Sequence, residues 1–563
     1  MGFFFTLLAL VVLLGATWRF LGSYIADVFE GRVHFLGALE RLVYRLLGTS
    51  PTHEQTWRRY AGAVVVFSGV SLVFTYLVLR TQGSLPLNPQ RFGSVGPALS
   101  FNTASSFVTN TNWQNYGGET TMSYFSQIGA LTVQQFVTPA VGIAVAMVVV
   151  RGFARRSATT VGNFWVDITR CMFYVLLPGA FVFGLVFVAQ GAVQTLAGAA
   201  NIHDVLNGVT QTIARGPIAF MESIKQLGTN GGGFLNANSA TPYENPTGLT
   251  NFLSIYLLLS IPVALTYTFG KMVGSIRHGV ALLSVVVILF AAVLGLTSYA
   301  EHQNNPAVAA AGIHSTVGNT EGKEVRFGDT SSALFAVAST STSTGSADSA
   351  YDSFTPLGGL GLLAGMMMGE VTPGGTGSGL YTLMIYAIIA VFIGGLMIGR
   401  TPEYLGKKIQ ATEVKLAGLS ALVMPVVVLV LTALAVSLGA GRAGPLNAGP
   451  HGFTEILYAL TSQGNNNGSA FAGLSGNTPF YNVVGAIDML LGRFAIMIPA
   501  LALGGVLAAK DVVPESLGTF RTNNAMFVGL TIGVIVIIGG LTFFPAISLG
   551  PLVEQLSHSR FFG

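Results

Sequence analysis

Charged side chains are scarce in this sequence. Lys, Arg, Asp and Glu make up only 9% of its 563 residues, against about a quarter in soluble domains. That deficit excludes an ordinary water-soluble chain and points to lipid as the main solvent. Cysteine is almost absent. Cys171 stands alone in an apolar run, so no internal disulfide is possible, and the residue reads as a small core side chain. No basic run interleaved with aromatics occurs, which argues against nucleic acid as a partner. Phosphate-loop chemistry is missing too: Gly322-Lys323 and Gly406-Lys407 lack the rest of a G-x-x-x-x-G-K-S/T loop. No polar stretch is long enough for a nucleotide domain, so no directly bound nucleotide is expected. The N-terminus lacks a basic residue before Arg19 and a small-residue cleavage site. It therefore reads as a retained membrane helix rather than a signal peptide.

Apolar residues, by contrast, reach 51%. Windows of about 19 residues predict ten membrane spans, near 3–28, 60–80, 128–150, 168–190, 251–271, 279–299, 378–399, 416–438, 483–508 and 526–548. The expected fold is an all-α integral membrane protein. Loops after the second, fourth, sixth and eighth spans are long, and the others are mostly short. Lys and Arg favour the short side, as at Arg151, Arg155, Arg156, Lys271, Arg400, Lys407, Lys408 and Lys510. The long loops carry fewer, Lys225 and Lys323 among them. The positive-inside rule puts the short loops in the cytoplasm and both termini outside.

Each long loop holds a short, moderately apolar segment followed by a polar cluster. The clusters are Thr111-Asn112-Trp113-Gln114, Thr229-Asn230-Gly231-Gly232, Ser343-Thr344-Gly345-Ser346 and Asn466-Asn467-Gly468-Ser469, at intervals of 118, 114 and 123 residues. Helix-start signals precede them at Pro97, Pro217, Ser331 and Thr454. A Thr-Pro pair follows at Thr241-Pro242, Thr355-Pro356 and Thr478-Pro479, but not in the first unit. This is a fourfold internal repeat. It divides the chain into a first helix and loop (1–59), repeats at 60–156, 157–274, 275–410 and 411–510, and a last helix and C-terminus (511–563).

A segment of about 13 residues cannot cross a bilayer, so each must re-enter. Irregular backbone at membrane depth survives only where it is buried or lines a water-filled path. The C-terminal end of each short helix carries about half an elementary negative charge, which favours a cation. The Thr, Ser, Asn and Gly oxygens that follow can replace the hydration shell of a potassium ion. No carboxylate occupies a cluster position, which fits a monovalent ion rather than a hard divalent one. Trp113 stands where the other three clusters have Gly, so the ring of oxygens is unequal.

Several stretches resemble a known family: 106–114, 225–234, Glu244-Asn245-Pro246-Thr247, Gly377-Ser378-Gly379-Leu380-Tyr381 and Gly399-Arg400-Thr401-Pro402-Glu403. The chain is similar over essentially its whole length to the potassium-binding A subunits of bacterial Kdp potassium pumps, which are P-type ATPase complexes. The resemblance implies four channel-like repeats related to potassium channels and Trk-type uptake proteins, in a bacterial inner membrane. It implies potassium as the bound ion and three partners from the same complex: the B subunit, which is the ATPase, the C subunit and the small F subunit. The Asp-Lys-Thr-Gly phosphorylation motif of such ATPases is absent here, so this chain is expected to be non-catalytic, with ATP hydrolysis in the B subunit. The filter residues are expected at Thr111, Asn112, Gln114, Thr229, Asn230, Gly231, Gly232, Ser343, Thr344, Gly345, Asn466, Asn467 and Gly468. The resemblance assigns Gln114 and Gly232 to the filter or its rim. It implies gate or tunnel positions at Glu370, Ser378 and Arg493, and a cytoplasmic coupling position at Arg400. Glu370 is expected in an irregular stretch, 358–379, that breaks the inner helix of repeat three. Arg493 reads either as a barrier beneath the filter or as an ion-pair partner of Asp488. A stand-alone Trk-like uptake protein or an outright channel remains the alternative.

Overall fold

The computed structural model describes residues 2–203, 208–514 and 519–557. Parts of the last division, 515–518 and 558–563, lie outside the described residues. Among those described, ten helices are long and apolar enough to cross a membrane. The first, α1 (Gly2–Phe29), is followed by α2 (Trp57–Thr81), which begins where the Thr56 side chain accepts from the Arg59 N–H. A short helix, α3 (Pro97–Val108), then precedes a long inner helix, α4 (Ser126–Ala154), whose first turns are π-helical.

The same outer helix, short helix, inner helix order then recurs. Repeat two is α5 (Phe164–Ala189), α6 (Ile218–Leu227) and α7 (Gly248–Met272). Repeat three is α8 (Ile276–Glu301), α9 (Gly328–Ser341) and a broken inner element, α10 (Pro356–Met367) plus α11 (Ser378–Met397). Repeat four is α12 (Ala411–Ser437), α13 (Gly449–Gly464) and α14 (Pro479–Ala508), and α15 (Ala525–Ile547) follows it. A small antiparallel hairpin, Ala200–His203 with Thr210–Ile213, decorates the loop of repeat two.

Local chemistry explains where the helices start, and it corrects two expectations. Thr355 and Thr478 cap α10 and α14, each with Pro at the first helical position. The matching Thr241-Pro242 does not start a helix. There α7 is capped six residues later by Thr247, in a reciprocal box with Thr250. Ser331 and Thr454 also lie inside helices rather than at their starts. Pro450 sits near the first turn of α13, and the Thr454 hydroxyl donates back to its carbonyl at 2.8 Å. Finally, 358–379 is not irregular throughout. Residues up to Met367 are helical, started by the Thr355 cap, and Gly358 and Gly361 let this helix pack closely on Glu301 and Thr297 of α8. The break is confined to 368–377, where Gly369, Glu370, Gly374 and Gly377 all take positive φ.

The inner helices are the buried ones. Residues 138–153 of α4 are all buried, and α4 meets α14 where a Cβ on Gly152 would lie 2.6 Å from the Gly504 carbonyl. Small residues at such crossings let helices approach where lipid supplies no hydrophobic drive. The first helix instead packs along α7 through the Trp18–Thr266 and Lys271–Asp27 contacts. Its other flank stays apolar and exposed at Phe4, Val11, Val12 and Phe20, a surface suited to lipid.

Candidate functional site

The four short helices all end in tight loops of one design. In each, a backbone N–H reaches back five residues to a helix carbonyl: Thr111 to Ser106, Asn230 to Lys225, Thr344 to Ser339, and Asn467 to Ser462, at 2.8–3.0 Å. The residue before each of these has positive φ: Asn110 (67°), Thr229 (50°), Ser343 (51°) and Asn466 (57°).

This pattern corrects the register of the first cluster by one residue. Thr111 matches Asn230, not Thr229, and the four loops are 110–113, 229–232, 343–346 and 466–469. The run Thr109-Asn110-Thr111-Asn112 holds Thr-Asn twice, so letters alone do not choose between the two alignments. The Ser106 hydroxyl donates to the Trp113 carbonyl, seven residues on, as Ser339 does to Ser346. Trp113 therefore matches Gly232, Ser346 and Ser469. The unequal third position is Asn112, held at a φ of 54° where the other loops have Gly231, Gly345 and Gly468. Gln114 falls just past the first loop.

The loops close into a ring. The Asn110 amide donates to the Thr229 carbonyl at 3.1 Å, joining loop one to loop two. A Cβ on Gly231 would lie 2.1 Å from the Gly345 nitrogen, and one on Gly345 would lie 2.6 Å from the Gly468 carbonyl carbon. A Cβ on Gly468 would come within 2.0 Å of the Thr111 oxygen, and Asn466 donates to the Thr111 hydroxyl at 3.1 Å. At Gly231 and Gly468, positive φ and backbone contact together admit glycine alone.

On one side of the ring opens a vestibule of 770 Å³ lined by Asn112, Gly231, Gly345 and Gly468. On the other lies a cavity of only 40 Å³ lined by Ser343, Asn466, Glu370, Ser378 and Arg493. The ring thus separates a wide space from a narrow one. Burial pushes the Asp348 carboxyl, at the vestibule wall, up to about 8.

Outside the ring, side chains fix the loops. Gln135 donates to the Gly232 carbonyl at 2.6 Å, and Gln114 both donates to the Gly233 carbonyl and accepts from its N–H at 3.0 Å. Gln114 therefore clamps loop two from the vestibule side of the ring. Lys225, expected as a charge on a long loop, is fully buried between Glu222 (2.6 Å) and Glu244 (2.7 Å). A buried pair of this kind is paired and hydrogen-bonded because an isolated charge there would be costly.

The break in repeat three runs as a strap beneath the ring. Glu370 accepts from Asn467 at 2.7 Å and from the Ser343 hydroxyl, touching loops four and three. The Thr376 N–H donates to the Thr229 hydroxyl at 3.0 Å, and the Thr376 hydroxyl donates to the Gly228 carbonyl at 3.1 Å. A Cβ on Gly377 would lie 2.2 Å from the Gly142 carbonyl on α4. Glu370, expected in the break of repeat three, is thus a carboxylate held directly against two loops whose own positions carry none. Only the positions, not the contacts, of Glu370 and Thr376 are visible in sequence. Arg493, on α14, is 5% exposed and donates to the Thr138 carbonyl at 3.3 Å. Among the described residues it makes no ion pair with Asp488, whose two carboxylate oxygens lack hydrogen-bond partners.

A family model described as the potassium-transporting ATPase A subunit matches residues 7–556. The chain belongs to that family. Similar curated proteins carry the description "Potassium-transporting ATPase potassium-binding subunit". One from Methylobacterium nodulans is 54% identical over 541 residues, covering 95% of this chain and 94% of that one. Another from Rhodospirillum centenum is 54% identical over 549 residues, covering 97% and 96%. Among solved structures, the potassium transporter TrkH from Vibrio parahaemolyticus superposes with a TM-score of 0.50 at 15% identity. The match covers 86% of this chain and 97% of that one, a likeness of fold. In this A-subunit family member, Ser378 opens α11 at the cavity wall and Arg400 is exposed just beyond the other end of that helix.

Proposed function

We propose that the four-loop ring is a potassium selectivity filter, and that the chain hands the ion to a P-type ATPase partner for ATP-driven import. The observation that carries this reading is the closed ring between a wide vestibule and a narrow cavity, with Glu370 against its lower rim. Four helix C-termini converge on the ring and add partial negative charge without a desolvated formal one. Each loop opens on a residue of positive φ, and in loops one, two and four the third residue takes positive φ as well; the loop carbonyls would replace water around the ion. The four repeats at 60–156, 157–274, 275–410 and 411–510 would each supply a quarter of the filter. Segments 1–59 and 511–563 flank them.

In this reading potassium enters from the vestibule side, which faces outward, with the short loops and Arg400 toward the cytoplasm of a bacterial inner membrane. The ion leaves the filter past Glu370 and Ser378, while the fixed positive charge of Arg493 opposes leakage. The chain itself hydrolyses no ATP; it works with the B, C and F subunits of a Kdp complex. The test uses the assembled complex in vesicles. Glu370→Gln keeps the shape and removes the charge, so half-maximal potassium stimulation of ATPase activity should need about tenfold more potassium. An unchanged potassium requirement in that variant would separate Glu370 from the ion path.

A further inference from the structure

Away from the filter axis, four titratable side chains from three parts of the chain meet beside the vestibule. Asp352 follows the third loop, His451 and Glu455 share one face of α13, and Glu554 lies near the C-terminus. The ligand atoms of Asp352, His451 and Glu455 all lie within 4.8 Å of one another. The His451 Nε2 faces Asp352 Oδ1 at 3.1 Å, and its Nδ1 faces Glu554 Oε1 at 2.7 Å. Glu455 is fully buried. One of its oxygens accepts from Asn447 at 2.6 Å, while the other, Oε2, has no hydrogen-bond partner.

We propose that Asp352, His451 and Glu455 form a zinc-type divalent metal site, with Glu554 orienting the imidazole. The donor set is one imidazole nitrogen and two carboxylates. That mixture suits zinc and its transition-metal neighbours, and it is unlike the all-oxygen sets that hold calcium or magnesium. The Glu554 contact at Nδ1 leaves Nε2 for the metal, the arrangement in which an outer carboxylate fixes a ligating histidine. A buried carboxylate oxygen without a partner is costly, and a cation would satisfy it.

The surroundings are built for convergence. A Cβ on Gly473 would lie 2.1 Å from Glu455 Oε1 and 2.8 Å from Asp352 Oδ2, so glycine alone leaves the carboxylates room. The imidazole ring stacks on Phe471 with centroids 6.0 Å apart and planes 19° apart, which holds its orientation. An entry path exists: Asp352, His451 and Glu554 border a cavity of 420 Å³, and the His451 side chain is 18% exposed. Phe471 in turn stacks on Tyr458, whose hydroxyl meets Ser469 of the fourth filter loop at 2.9 Å. The metal would thus clamp the outer end of α13 to the turn after the third loop.

The test is cobalt titration of the purified full-length protein, carrying a histidine-free tag and stripped with a chelator. Tetrahedrally disposed Co²⁺ gives a visible absorption band, and Zn²⁺ should displace it. The wild type should show a saturable band. His451→Gln and Glu455→Gln should each weaken Co²⁺ binding at least about tenfold, and Glu554→Gln by about 10- to 100-fold as an outer carboxylate does. Should His451→Gln fail to fold, Glu455→Gln carries the test. A wild type without a band, or Glu455→Gln binding as tightly as wild type, would leave the cluster as a plain ion-pair clamp and overturn the proposal.

Discussion

Replacing Gly231 by Ala is the sharpest probe of the ring, because its size can be worked from the structure. The residue sits at a φ of 91°, which costs an L-residue about 1–2 kcal/mol. The new methyl would also lie 2.1 Å from the Gly345 nitrogen and 2.4 Å from its Cα. Those are backbone atoms of the next filter loop, so no side chain can swing away. To reach ordinary contact at 3.4 Å or beyond, loops two and three must part by more than an ångström. The backbone term alone is worth roughly five- to thirtyfold in an equilibrium constant, and on the proposed reading the ion-binding ring absorbs it. Potassium affinity of the assembled complex, read as potassium-stimulated ATPase activity, should fall at least about tenfold. Discrimination against smaller and larger monovalent ions should fall with it. Gly312→Ala is the control, since it has a φ of 83° but nothing within 4 Å of the added carbon. It should show the strain without touching potassium. If Gly231→Ala assembles and keeps wild-type affinity and selectivity, the loops do not form the ion-binding ring.

Three further outcomes are expected. Arg493→Met should loosen coupling, so that potassium moved per ATP falls in reconstituted vesicles, while Arg493→Lys, which keeps the charge but loses the planar fork, should be milder. Full coupling in the methionine variant would remove the barrier role. A cysteine at the exposed Thr159 should react with an impermeant reagent only from the cytoplasmic side, and labelling in intact cells would invert the orientation. Asp348, raised to about 8 by burial, is mostly neutral at pH 7 and ionises as pH climbs through that value. The added negative charge at the vestibule should lower the potassium needed for half-saturation between about pH 7 and 9, and Asp348→Asn should flatten that dependence.

Much of the membrane architecture is legible in the sequence because lipid imposes a simple rule. A span needs about 20 apolar residues, and all ten expected segments coincide with observed helices. The fourfold repeat is legible for a related reason, since the same loop chemistry is needed four times. Register is harder. Thr109-Asn110-Thr111-Asn112 offers two equally good letter matches, and the five-residue backbone bond from Thr111 to Ser106, with the Ser106 hydroxyl on the Trp113 carbonyl, decides between them. The clasp of Glu370 on loops three and four is likewise hidden, because it joins residues 27 and 97 positions apart. Lys225 misleads in the opposite direction: a lysine between spans reads as a solvated loop charge until Glu222 and Glu244 are found around it.

Glu370 and Arg493 belong to different quarters of the ring, and each occurs once. In a pore assembled from four identical protomers, any charge placed below the filter is repeated around the axis. The sideways components of its field then cancel at the centre. One chain that supplies all four quarters escapes that cancellation. Beneath the ring, a carboxylate from repeat three and a guanidinium from repeat four line a single 40 Å³ space. The resulting field has a direction across the membrane plane as well as along its normal. A symmetric channel can only let an ion fall straight through, whereas under the proposed filter reading this geometry would give it a preferred side.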